Sequence, residues 1–199
     1  MGATSQLYLL HSTKGEKLTD LQEFCATFCT KVLEARTLNR FAYGLPASIE
    51  SVFAYGNDQS LEANLGRIMG WSMVFFHPLE HGWFLSTIKS SLFNIDGGKW
   101  SVWSCRFWLV YVICDLIMTI RNLQNAITGL EAKDLNSKDR SSLLKARRNS
   151  MIWLSCIFAD LVLAWQYSVA NGPFGERTLT WASWWGGFAG LYRRWVNAQ

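Results

Sequence analysis

Hydrophobic and polar positions in the segment 14–35 follow a helical period. Apolar residues recur every three or four positions, and charged residues fall between them. The pattern predicts an amphipathic helix that is too charged to span a bilayer. Its apolar face either packs on a core or lies against a membrane or another helix. The apolar positions are Leu18, Leu21, Phe24, Cys25, Phe28, Cys29, Val32 and Leu33.

A second, shorter helix is predicted from Pro46 to Tyr55. Proline is favoured in the first turn of a helix, and Gly56-Asn57-Asp58 is a typical turn sequence that would end it.

Further along the chain, apolar runs become long enough to cross a bilayer. Residues 100–120 carry one base and one acid, and residues 151–170 carry a single acid. Both have the length that crosses a hydrocarbon core of roughly 30 Å. Residues 178–192 predict a shorter third span. Residues 67–88, interrupted by Pro78 and several polar residues, fit either a poor span or an interfacial hairpin.

These elements predict an all-α, multi-span helical membrane protein. An N-terminal amphipathic helical region would occupy residues 1–64, and a membrane-embedded helical region residues 65–199. The composition agrees, because 50% of the 199 residues are hydrophobic, only 17% are charged, and eleven are tryptophan. Tryptophan collects where an apolar medium meets water, as at the two surfaces of a bilayer.

Charge is unevenly distributed along a chain whose formal net charge is +4. The segment 121–148 holds seven basic residues against three acids, and we interpret it as a solvated loop beside a span. Basic loops face the cytosol, which predicts a cytosolic position for this segment. No nucleic-acid-binding motif accompanies it, so nucleic acid is not an expected partner.

The segment His77-Pro78-Leu79-Glu80-His81 matches H-x-x-E-H, the signature of inverted zinc metallopeptidases. In such sites two imidazoles one helical turn apart face the same ion. Proline fits the first turn of a helix, so Pro78 predicts that His77 is a capping residue rather than a helical ligand. We therefore expect no metal site, no cofactor and no catalytic residue, and predict that the chain is not an enzyme.

Two acids and two glycines stand out inside the predicted spans. Asp115 and Asp160 each need a partner or a wet cavity, since a carboxylate in hydrocarbon is costly. Hydrogen bonding between helices is the favoured interpretation, and a pore lining is the alternative. Gly186 and Gly190 have G-x-x-x-G spacing, which permits close helix–helix contact and predicts oligomerisation.

Short stretches spread over nearly the whole chain resemble, in order, the peroxin-eleven family of peroxisomal membrane proteins, with most similarity to its gamma-type members. One stands at the entry to the amphipathic helix and the others lie in or beside the apolar segments. They are Thr13-Lys14-Gly15-Glu16-Lys17-Leu18, Pro78-x-Glu80-His81, Lys99-Trp100, Arg121-Asn122-Leu123-Gln124, Ala159-Asp160-Leu161 and Gly190-Leu191-Tyr192-x-x-Trp195.

The resemblance implies a protein of the peroxisomal membrane, or of a specialised peroxisome such as a glycosome. It implies that the chain promotes elongation, proliferation and fission of the organelle by membrane remodelling and self-association, with no catalytic residues. The implied partners are the lipid bilayer, family members in homo- or hetero-oligomers, and the fission machinery. A pore for small metabolites is the alternative function. The residues implied to insert into the membrane are Leu18, Leu21, Phe24, Phe28 and Val32.

Overall fold

The computed structural model describes residues 20–88, 92, 96–132, 136–169 and 171–197. This part of the chain is almost entirely helical and contains no strand, which confirms the all-α prediction. In chain order its elements are α1 (Asp20–Asn39), a π-helical turn (Arg40–Gly44), α2 (Leu45–Phe53), α3 (Leu61–Ile88), α4 (Gly97–Leu130), α5 (Ser137–Ser168) and α6 (Glu176–Asn197).

The short helix α2 confirms the second predicted helix to within two residues at each end. It begins at Leu45, with Pro46 in the first turn, where the missing N–H of proline costs nothing. After it, Gly56 has a φ of 50°, a left-handed conformation that glycine adopts without strain. Ser60 then caps α3, because its hydroxyl accepts from the N–H of Ala63 at 3.2 Å.

Helix α3 runs through Pro78 without interruption. The prediction that proline would end the helix and leave His77 as a capping residue is therefore wrong. Proline removes one backbone hydrogen bond and crowds the preceding turn. Contacts along α3 with α2, with the π-helical turn and with α4 offset this local cost, so tertiary packing overrides the preference of one residue.

The four long helices α3 to α6 form a row in which each packs on its neighbour in the chain. In the described part of the chain, no close backbone approach joins α3 to α5 or α4 to α6. A row of this kind leaves large apolar side chains exposed, which suits contact with hydrocarbon better than contact with water. Those exposed on α4, α5 and α6 include Val110, Ile113, Ile117, Phe158, Trp165, Trp181, Trp184, Phe188 and Trp195.

Two of the described helices, α4 and α5, are long and apolar enough to cross a membrane. The predicted span 100–120 lies inside α4, and the predicted span 151–170 covers the second half of α5 and the residues after it. We treat these two helices as the membrane spans. The shorter candidates at 178–192 and 67–88 stay predictions.

Most of the basic segment 121–148 is helical, so its interpretation as a loop is wrong. Helix α4 continues to Leu130, and α5 begins at Ser137, where the Asn136 side chain accepts from the N–H of Asp139 at 2.8 Å. Gly129 permits close packing of the two helices, because a Cβ there would lie 3.1 Å from the Leu143 methyl groups. A run of charged residues does not by itself distinguish a solvated loop from a solvated helix extension, and here it belongs to two helix extensions.

A core cluster of buried apolar residues lies where α4 packs on α5. Val112, Ile157 and Ala164 form this core, which Trp108, Tyr111 and other half-buried side chains surround. Cys114 and Cys156 are also buried and unpaired, as expected for small packing residues.

We expect Ile157→Ala to lower the free energy of unfolding by about 2–5 kcal/mol, because it leaves a cavity in this core. The matched control is Phe158→Ala. That ring is 52% exposed against 1% for Ile157, and its removal should change stability by only about 0.5 kcal/mol. Unfolding of the full chain in mixed micelles measures both values. Equal losses for the two variants would contradict the assignment of the core.

Candidate functional site

Three apolar side chains of α1 are exposed in the described structure. Phe24 is 64% exposed, Phe28 59% and Val32 50%, and the two phenylalanine rings stack with centroids 6.1 Å apart. Of the other residues predicted to insert into a membrane, Leu18 and the side chain of Leu21 lie outside the described residues. For the three residues that can be placed, the core-facing interpretation of this helix does not hold.

One ion pair fastens the end of α1 to the middle of α3. The Arg40 guanidinium, at the start of the π-helical turn, donates to Glu80 Oε1 and also lies 5.7 Å from the centre of the Phe76 ring. The Glu80 side chain is only 14% exposed and that of Arg40 only 29%. Sequence analysis missed this pairing, because forty positions separate the partners and no local pattern joins them.

His77 and His81 lie beside Glu80 on the same side of α3, one helical turn apart. Their ring centres are 6.0 Å apart, and Phe41 stacks on His81 at 3.8 Å. Gly44 lies over the other imidazole, where a Cβ would come within 2.8–3.2 Å of the His77 ring. We call the residues Arg40, His77, Glu80 and His81 the α3 cluster.

Burial sets the protonation of the α3 cluster. It lowers the pKa of His77 to about 4, with further contributions from the Arg40 charge and from His81. Burial and Arg40 also lower the pKa of His81. Burial raises the pKa of Glu80, whereas the Arg40 charge acts in the opposite direction. Both imidazoles are therefore neutral at pH 7 and able to accept a hydrogen bond or bind a cation.

Three polar atoms of the α3 cluster are buried without a hydrogen-bond partner. They are His77 Nδ1, Glu80 Oε2 and His81 Nε2. One ligand atom from each of these three residues lies within 4.8 Å of the corresponding atoms of the others. The structure therefore brings together the three residues of the H-x-x-E-H pattern. The expected helix end at Pro78 would have kept them apart.

The two acids of the spans lie at helix–helix contacts. Asp115 on α4 accepts from the Trp153 indole N–H of α5, at 3.1 and 3.2 Å to its two oxygens. Asp160 on α5 faces α6, where a Cβ built on Gly186 would lie 3.7 Å from its Oδ1. The contacts of Asp115 favour its interpretation as a packing residue over the alternative of a pore lining.

Gly186 and Gly190 have different surroundings. A Cβ on Gly186 would lie 3.6 Å from the Cβ of Ala159, so this glycine lies at the contact of α6 with α5. The Cβ position at Gly190 has no neighbouring atom of the described chain within 4 Å. Gly186 thus packs within the chain, whereas the space beside Gly190 is open.

An open cavity of about 500 Å³ lies between one part of α3 and the start of α4. Both helices beside it carry several aromatic residues. The sequence shows these residues, but only the tertiary structure shows that they lie together. Its lining is entirely apolar and consists of Phe75, Pro78, Leu79, Trp100, Trp103 and Phe107.

We expect Arg40→Met to lower the stability of the contact between the π-helical turn and α3 by about 1–3 kcal/mol, because Glu80 loses its charged donor. The matched control is Arg121→Met. Its partner is Glu62, both side chains are 42% exposed, and an ion pair in solvent contributes little to stability.

Hydrogen exchange of the amides in residues 40–44 of the full chain measures the Arg40 effect, and exchange near Glu62 measures the control. Changing Glu80 to Met as well should recover part of the loss, because no unpaired buried carboxylate then remains. Equal effects of the two arginine variants would contradict the special position of Arg40.

Comparison with curated proteins and with solved structures gives no match at a significant level. The sequence model described as Peroxisomal biogenesis factor 11 (PEX11) matches residues 4–195, nearly the whole chain. The placement among gamma-type members stays a prediction. Together with two helices able to cross a membrane, the match confirms the resemblance seen in the sequence: the chain belongs to the peroxisomal biogenesis factor 11 family.

Proposed function

We propose that this chain is an integral protein of the peroxisomal membrane that promotes elongation and division of the organelle by inserting the apolar face of α1 into one leaflet. Family membership supports a role in peroxisome biogenesis and a peroxisomal location. The observation that carries the mechanism is the exposure of Phe24, Phe28 and Val32 on one helix.

The physical basis is the transfer of these side chains from water to the acyl-chain boundary. Removing one large apolar side chain from water contributes roughly 1.5–3 kcal/mol, and α1 presents three of them in successive turns. An amphipathic helix embedded in this way occupies area in one leaflet only. The area difference between the leaflets then favours curvature.

The other helices hold α1 at the bilayer. In the proposal, α4 and α5 cross the membrane as an antiparallel pair, and their basic extensions within 121–148 face the cytosol, in keeping with the bias of basic residues towards that side. The ion pair between Arg40 and Glu80 keeps the end of α1 beside the membrane-embedded part of the chain.

Self-association completes the proposal, because one inserted helix bends a membrane only slightly. The exposed aromatic surface of α6 and the open position at Gly190 are the surfaces proposed for contact with a second copy or another family member. The fission machinery, which the family resemblance implies as a partner, would then act on the elongated membrane.

We expect Phe28→Asp to abolish most of the elongation, because it places a charge where the helix enters the acyl-chain boundary. The matched control is Thr27→Asp, which adds the same charge at an exposed position about 100° around the helix. Peroxisome length and number are counted in cells that produce each full-length variant from the same promoter.

Alkaline extraction shows in parallel whether each variant stays in the membrane, which separates insertion of α1 from anchoring. The proposal predicts that both variants resist extraction and that only Phe28→Asp leaves short peroxisomes. Normal elongation by an extraction-resistant Phe28→Asp variant would show that α1 does not act by insertion.

A further inference from the structure

We propose that His77, Glu80 and His81 form a binding site for one divalent transition-metal ion, with zinc as the ion that fits best. The inference goes beyond the proposed membrane function and does not depend on it. It stands on the closeness of one ligand atom from each residue, on the buried polar atom without a hydrogen-bond partner that each residue carries, and on the neighbouring residues that hold these side chains in place.

The helical spacing places the three ligands together. Residues three and four positions apart lie on one side of a helix, and this holds here because α3 continues through Pro78. The ligand atoms are within 4.8 Å of one another. Bonds of about 2.0–2.2 Å to a tetrahedral ion require separations of about 3.3 Å, so small side-chain rotations would complete the site.

The burial of the cluster supplies an independent observation. His77 is 6% exposed and His81 5%, yet each has a buried ring nitrogen without a hydrogen-bond partner, as does one oxygen of Glu80. Leaving buried polar atoms without partners is costly, and native structures rarely do so without a reason. A single cation coordinated by all three residues would remove this cost.

Neighbouring residues orient the ligands as outer residues do in known metal sites. Arg40 binds one oxygen of Glu80 and leaves the other for the ion. Phe41 stacks on His81, and the absence of a side chain at Gly44 gives the His77 ring its position.

The donor set decides the class of ion. Two imidazole nitrogens with one carboxylate suit zinc and neighbouring transition metals, whereas magnesium and calcium prefer oxygen ligands. A fourth position remains for water or another ligand, as in three-ligand zinc sites. The nearby Arg40 charge repels a cation, so we expect weaker binding than at an all-cysteine structural site. Since Glu80 is held by Arg40, no peptidase activity is part of the proposal.

Metal titration of the purified full-length chain in detergent, after removal of metals with a chelator, tests the site. We expect one Zn²⁺ per chain. His77→Ala, His81→Ala and Glu80→Gln should each weaken Zn²⁺ binding by at least roughly 10–100-fold. That is the loss seen in known sites when a residue that hydrogen-bonds a metal ligand is removed, and loss of a ligand itself should cost more. Circular dichroism checks that each variant keeps its helices.

Glu62→Gln is the matched control, because Glu62 is a carboxylate on the same helix that also pairs with an arginine but lies outside the cluster. It should leave Zn²⁺ affinity unchanged. The absence of stoichiometric binding, or equal affinity in both histidine variants and the parent chain, would overturn the site.

A measurement on the unmutated chain tests the site even if the variants fail to fold. Co²⁺ substituted into a four-coordinate nitrogen and oxygen site gives strong visible absorption, and Zn²⁺ should abolish it by displacement. A spectrum identical to that of Co²⁺ in buffer would overturn the proposal.

Discussion

Packing in a single row limits how much apolar surface the four long helices can cover for one another. A helix inside a bundle is covered on several sides, whereas α4 and α5 are each covered by two neighbours and α6 by one. The helical backbone satisfies its own hydrogen bonds, so exposed valine, isoleucine and phenylalanine side chains can face hydrocarbon at no polar cost. The bilayer therefore completes the packing of this fold, and the elements outside the two spans are positioned relative to it.

The Arg40–Glu80 ion pair links the N-terminal helices to the row of long helices. Helix α1, the π-helical turn and α2 follow one another without a loop, so the position of Arg40 also constrains the path of α1. Because Glu80 lies on α3, which packs on α4, the ion pair connects the end of α1 to the first membrane span through α3. The α3 cluster thus lies at the junction between the helix that is proposed to insert and the helices that anchor it.

Local sequence information predicted the elements whose properties are local. Apolar length identified α4 and α5, and the turn residues around Gly56 located the end of α2. It failed where packing decides the outcome. The continuation of α3 through Pro78 depends on contacts with other helices, and the partner of Glu80 lies forty residues away. The sequence shows the H-x-x-E-H pattern, but the helix-ending preference of Pro78 argues against a metal site there. The continuation of α3 through Pro78 removes that argument.

In the proposed mechanism, the exposed apolar residues of α1 and those of α6 act together. Helix α6 ends the row and presents Trp184 and Phe188 as a stacked pair with ring centroids 5.5 Å apart. Adding a second row at this end would extend the assembly in the membrane plane, since Gly190 leaves room for a close helix. In the proposed mechanism each added copy would bring another α1 to the same leaflet. Copies that share one orientation would add their area effects, so an effect too small to bend a membrane alone would become curvature along the assembly.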